Sequence, residues 1–298
     1  MTWHSTSNAI GTMVSMLAAL RWLMICSGIA LTAVAFLTAL PWQRAAGGEA
    51  GTAFILAQDP LIAATALLAA TVVGGVIAWT LARSFTPLTG LAVLGTGMGW
   101  AALDLNTIAP AIADGYAARI AIDGLLWTIV VLVISWLAFR GAPPYPQVRA
   151  HQHEDGPADP LMSSDAIRVL ALGLAALPIA WIFAVTELRG QTVLATTLGG
   201  YVAGLLARFV APGVAPVLLP VGVVLAGTLA GWTSAVFDLP DAVATVWATS
   251  SVPRLLLPLP IDWAAGALLG CAVGYRAFWS LDDKHPPSAD AGELNTTN

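Results

Sequence analysis

Eight stretches of the chain carry long apolar runs with few charges, near residues 19–40, 60–82, 87–104, 118–140, 166–187, 191–210, 214–237 and 261–280. A helix needs about 20 apolar residues to cross the roughly 30 Å hydrocarbon core of a bilayer. The runs are close to that length, with the glycine-rich third among the shortest. The pattern predicts an all-α, polytopic integral membrane protein of about eight transmembrane helices. Arg21 precedes the first run as in a signal peptide, but about 19 apolar residues exceed a usual h-region, so it is read as a retained span.

Two polar stretches interrupt the pattern. Residues 141–165 hold GAPPYPQ and HQHEDGPADP, a proline- and acid-rich linker, and residues 281–298 form a polar tail that lacks the apolar content to fold alone. The chain thus divides into a membrane unit 1–140, a cytoplasmic linker 141–165, a membrane unit 166–280 and a cytoplasmic tail. Residues 104–119 and 238–260 are too apolar for free loops and too short or proline-broken to cross twice. They are expected to be interfacial or re-entrant, the second opening as a short helix capped by Asp238 or Asp241.

The two membrane units resemble each other. GGVIAWTLAR, Gly74 to Arg83, matches GGYVAGLLAR, Gly199 to Arg208, at six of ten positions with an offset of 125. GTGMGW from Gly95 to Trp100 is answered by GTLAGW from Gly227 to Trp232, and each is followed by an Asp-Leu pair, Asp104-Leu105 and Asp238-Leu239. Thr38-x-Leu40-x-x-Gln43 is answered by Thr186-x-Leu188-x-x-Gln191, and Ile122-Asp123 by Ile261-Asp262. Alanine- and glycine-rich helices look alike by composition, but four ordered matches that include Trp, Asp, Arg and Gln indicate a duplication. With four spans each, the units are expected to be parallel repeats about an axis along the membrane normal.

Composition adds exclusions. Of 298 residues 58% are hydrophobic and 10% charged, against about 25% charged in a soluble domain. The one lysine, Lys284, lies in the tail, which leaves no phosphate-binding GK[ST] loop and no buried Schiff-base lysine. His4, His151, His153 and His285 all fall in polar segments, so haem ligation and an HExxH zinc pair within a span are disfavoured. HQHED, His151 to Asp155, reads as a solvated loop in which nothing else completes a metal shell. Cys26 and Cys271 each stand alone in an apolar run, as small inert hydrophobes do. No cofactor, metal or nucleic-acid partner is expected; the expected partners are the lipid bilayer and either further membrane subunits or copies of the same chain.

Arg21, Arg83, Arg140, Arg149, Arg168, Arg208, Arg276 and Lys284 would share one side of the membrane, against Arg44, Arg119, Arg189 and Arg254 on the other. The positive-inside rule then places both termini in the cytoplasm, in an inner (plasma) membrane. Arg83 and Arg208 read as snorkelling anchors.

The outer face would be acidic, and Asp104, Asp123, Asp238 and Asp262 are the candidate ion, proton or substrate site. Asp123 and Asp262 hold matching places at the outer ends of their spans, and Asp104 and Asp238 follow the two GTxxGW segments. Each has a plainer reading. Asp262 is placed to cap its helix, Asp123 to pair with Arg119 four residues earlier, and Asp104 and Asp238 to leave the membrane at a helix end. Glu187 and Arg189 close the fifth span and are expected to face headgroups or each other. The spaced glycines Gly95, Gly99, Gly227 and Gly231, like Gly200, Gly204, Gly266, Gly270 and Gly274, read as helix-packing faces. No GxSxG, HxxxH or intramembrane serine–base pair is present, which makes an enzyme the weaker expectation, confined to a lipid-modifying site among the outer segments. The expected function is that of a transporter or channel-like protein with an acidic site near the outer face. The alternative is a non-catalytic scaffold or assembly subunit of a membrane complex.

Overall fold

The computed structural model describes residues 3–45, 51, 53–108, 111, 116–140, 164–211, 214–237 and 254–277. Among them every α or 3-10 element is helical and no strand occurs. In chain order the helices are α1 (Trp3–Ala39), α2 (Pro60–Ser84), α3 (Pro87–Ala102), α4 (Ala117–Arg140), α5 (Ser164–Leu172), α6 (Ala176–Phe183), α7 (Arg189–Val210), α8 (Leu219–Phe237) and α9 (Pro260–Ala277).

Local chemistry sets several boundaries. Pro60 and Pro87 stand at the first helical positions of α2 and α3, where a missing N–H costs nothing. The Asp59 carboxylate accepts the Ile62 N–H at 3.2 Å, and the Thr86 hydroxyl accepts the Thr89 N–H at 3.2 Å, each satisfying an orphan donor of the first turn. α5 and α6 form one rod joined by a 3-10 turn, Gly173–Ala175. Pro178 lacks the N–H that would bond the Leu174 carbonyl, so the helix tightens there. α1 begins sixteen residues before the predicted first span, because nothing from Trp3 to Arg21 breaks a helix.

Five helical stretches among the described residues are long and apolar enough to cross a membrane: Ser15–Gln43, Pro60–Ser84, Ala118–Arg140, Ser164–Phe183 and Arg189–Val210. The remaining predicted spans correspond to shorter helices, of 16, 19 and 18 residues in α3, α8 and α9. Shielding accounts for the lengths of α3 and α9. Thirteen of the sixteen residues of α3 and fourteen of the eighteen of α9 are buried, so these helices meet protein rather than a bilayer. The outer helices instead expose large apolar side chains, among them Leu20 and Leu23 on α1, Leu61 and Val72 on α2, and Ile129 and Val133 on α4. Such a belt is stable only in an apolar solvent.

At the centre α9 packs most extensively on α7 and then on α3, while α4 packs on α8. Small residues allow these approaches. A methyl group at Gly200 of α7 would stand 2.7 Å from the Gly266 carbonyl oxygen, and one at Gly204 would stand 2.7 Å from that of Cys271. On α9, a methyl group at Gly270 or Gly274 would come closer still, 2.2 Å and 2.1 Å from the carbonyl oxygens of Thr197 and Tyr201. The contacts advance together along both chains, so α7 and α9 are parallel. α3 runs the other way, with Gly95 against Ala265 and Leu269 and Thr89 against Arg276.

Candidate functional site

The first turn of α9 is built around Asp262. Leu256 to Asp262 are all buried, and the helix starts at Pro260, which places Asp262 three residues after the capping residue Leu259. Its Oδ2 accepts the Leu259 N–H at 2.8 Å, the return bond of a capping box. Its Oδ1 forms an ion pair with the Arg189 guanidinium. Arg189 opens α7, donates from Nε to the Ala102 carbonyl at the end of α3 at 3.2 Å, and from Nη1 to the Thr192 hydroxyl at 3.2 Å. The Thr196 hydroxyl lies 2.8 Å from the Asp262 carbonyl oxygen. One charge pair thus ties together the ends of three helices, with the carboxylate fully buried and the arginine side chain 10% exposed.

Asp123 is different. It is the seventh residue of α4, beyond the reach of the orphan donors at the helix start. It is 2% exposed, and its Oδ1 has no hydrogen-bond partner. Arg119, which the sequence places one turn earlier, lies over the Tyr116 ring at 5.1 Å instead. The ion pairs among the described residues are Arg168–Asp165 and Arg189–Asp262.

The two carboxylates flank one turn of α8. A methyl group at Gly124, next to Asp123, would stand 2.6 Å from the Thr228 hydroxyl. Gly227 of α8 lies against the indole of Trp263, next to Asp262. α4 and α9 therefore meet α8 at neighbouring residues, near its middle. At about 1.5 Å per residue, Asp123 is about 25 Å along α4 from Arg140, and Asp262 about 21 Å along α9 from Arg276.

The other expected site residues fall elsewhere. Asp104 is exposed in the turn after α3, and Asp238 lies outside the described residues, as does most of 238–260. Gly95 sits tightly on α9, whereas Gly99 is in ordinary contact with Val193 and Ala265. Gly231 is in α8, and its surroundings lie outside the description. Arg83 is exposed and lies 4.6 Å over the Trp79 ring. Arg208 is buried and lies 5.8 Å over the Tyr275 ring, at the end of the bundle where the Tyr275 hydroxyl donates to the Val214 carbonyl at 3.2 Å.

Sequence reasoning missed Arg189 as the partner of Asp262. The usable signal was the stripe Thr192, Thr196, Gly200 and Gly204, four small residues at helical spacing that continue from Arg189 down one face of α7. That face meets α9, so a charge at its head meets the head of α9. Comparison of the chain with family models, with curated proteins and with solved structures finds no match.

Proposed function

We propose that the protein is an inner-membrane transport or channel-like protein with both termini cytoplasmic, in which Asp123 carries the exchangeable cation or proton and Asp262 holds the frame. The observation that carries this reading is the buried, unpartnered Oδ1 of Asp123 beside the middle of α8. With the arginine-bearing helix ends at the cytoplasmic interface, 25 Å along α4 lies within the roughly 30 Å hydrocarbon core, on its outer side. A charged side chain costs about 2.5–3.5 kcal/mol at the core's centre on insertion scales and less toward its edge, so at this depth Asp123 bears a part of that cost. A carboxylate oxygen kept there without a hydrogen bond points to function. Asp262 has its compensation in Arg189, whereas neither ion pair among the described residues includes Asp123.

The helix packing supports two parallel four-helix repeats. The third span packs on the eighth and the fourth on the seventh, as a twofold relation between the halves would have them, while the extensive sixth–eighth seam answers to only a slight second–fourth contact. The halves then differ where chemistry matters: at the offset that matches Gln43 to Gln191, Pro41 stands where the second half has Arg189.

The test uses purified protein in liposomes under an imposed potential. Wild type is expected to take up protons or a monovalent cation, and Asp123→Asn is expected to lose that flux. Wild-type uptake no faster than in empty vesicles removes the transport reading. A second reading, a scaffold or assembly subunit, is favoured by the glycine-locked seam of α7 and α9, whose backbones approach too closely to leave a path between them. Mild-detergent extraction decides for it if a second polypeptide comes out at fixed stoichiometry.

A further inference from the structure

A groove of about 540 Å³ opens between α1, α3, α7 and α9, with none of Asp104, Asp123 and Asp262 in its lining. Its walls are apolar, with Ile25 and Ile29 on α1, Ala92 and Val93 on α3, and Val273 on α9. From Thr89 to Thr96 on α3 it extends about 10 Å along the helix. The hydroxyl of Thr96, inside the groove, is already bonded to the Ala92 carbonyl at 2.7 Å. At one end stands Arg276, the one charged residue of the lining, exposed and held by a single long contact to the Thr89 hydroxyl at 3.5 Å. This is the bundle end that also carries Arg83, Arg140 and Arg208, while Asp165, at the start of α5, is taken by Arg168.

We propose that this groove binds an acidic phospholipid, one acyl chain lying along α3 and its phosphate on Arg276. The order of the groups matches such an amphiphile in a bilayer leaflet, with a cation at the interface and an apolar slot running toward the bundle's middle. Guanidinium donors suit phosphate oxygens, by paired hydrogen bonds as well as charge. A zwitterionic lipid would bring its own cation to an end of the bundle already lined with arginines, and so binds less well.

The experiment is native mass spectrometry of the full chain, stripped of lipid and exposed to mixed micelles of phosphatidylglycerol and phosphatidylcholine. Wild type is expected to retain phosphatidylglycerol at least tenfold over phosphatidylcholine. Arg276→Gln should lose the preference, Arg276→Lys should keep most of it, and Val273→Trp should lower retention of both lipids by filling the slot from an exposed position. Inorganic phosphate at millimolar concentration should not displace the lipid, because the acyl chain contributes most of the contact. Equal retention of the two lipids by wild type, an undiminished preference in Arg276→Gln, or displacement by inorganic phosphate overturns the proposal.

Discussion

Arg189 and Asp262 are costly to bury singly, and the cost shows only when one is removed. Breaking a buried pair by deleting one partner typically destabilises by about 3–5 kcal/mol, whereas replacing both with apolar residues is often close to neutral. Arg189→Met should therefore lower the melting temperature in detergent sharply, leaving Asp262 fully buried with only the neutral donors Leu259 N–H and the Thr192 hydroxyl for support. Arg189→Met with Asp262→Leu should recover much of the loss. If the single change melts with wild type, the pair does not close the bundle. Asp123→Asn carries the opposite expectation, a melting temperature equal to or above wild type, because Oδ1 of Asp123 already lacks a bond and an amide is cheaper to bury than a carboxylate. A large loss of stability in Asp123→Asn would assign that side chain to the frame instead. Stability lost at one carboxylate and activity lost at the other is the signature of divided roles.

At the scale of the helix, size rather than polarity separates inside from outside. On α2 six of the eight buried positions are small, Ala63, Ala70, Thr71, Gly74, Ala78 and Ala82 beside Leu67 and Leu81, while Leu61, Leu68, Val72, Val73 and Val76 are exposed. Lipid is as apolar as leucine, so close backbone packing takes over the ordering that burial supplies in water. Gly270→Ala should be severe, since a methyl group there collides with the Thr197 carbonyl and nothing flexible can yield. Gly99→Ala should be tolerated, its nearest neighbour being a valine methyl at 3.4 Å. Expression yield and melting temperature of the two variants compare the sites directly, and equal behaviour would discount the glycine seam. The same physics explains what could be read from the chain. Existence and rough limits of helices such as α2 and α7 were legible, because apolar length is a strong signal. The centrality of α3 and α9 was not, since hydropathy scores a shielded helix and a lipid-facing one alike. The sequence paired Asp123 with Asp262, but their difference was not legible, because it turns on where each helix starts. Asp262 is the third residue of α9 and reaches back to the Leu259 N–H, whereas Asp123 is the seventh residue of α4.

For the molecule as a whole, the contacts that hold the centre run between the halves as well as within them. Arg189 reaches the end of α3, Gly95 sits on α9, Gly124 on α8, and Arg276 touches Thr89. Separated, the first half would turn the buried face of α3 to lipid, with its glycine backbone against acyl chains that cannot pack it as α9 does. The second half would leave Thr228 without α4 and the Arg189–Asp262 pair at the first turn of α9 without α3 beside it. The connection between the halves, by contrast, is a polar stretch of proline and acids that needs only to span them. Residues 1–140 and 141–298 expressed as two chains in one cell should therefore assemble. A tag on either half should recover both at equal amounts, while each half expressed alone should be degraded or aggregate. Arg189→Met should weaken that recovery more than it weakens the intact chain, because the linker no longer holds the halves at high local concentration. Two halves that accumulate separately as stable monomers would show that the exchange of α3 and α4 across the centre is not what holds the fold.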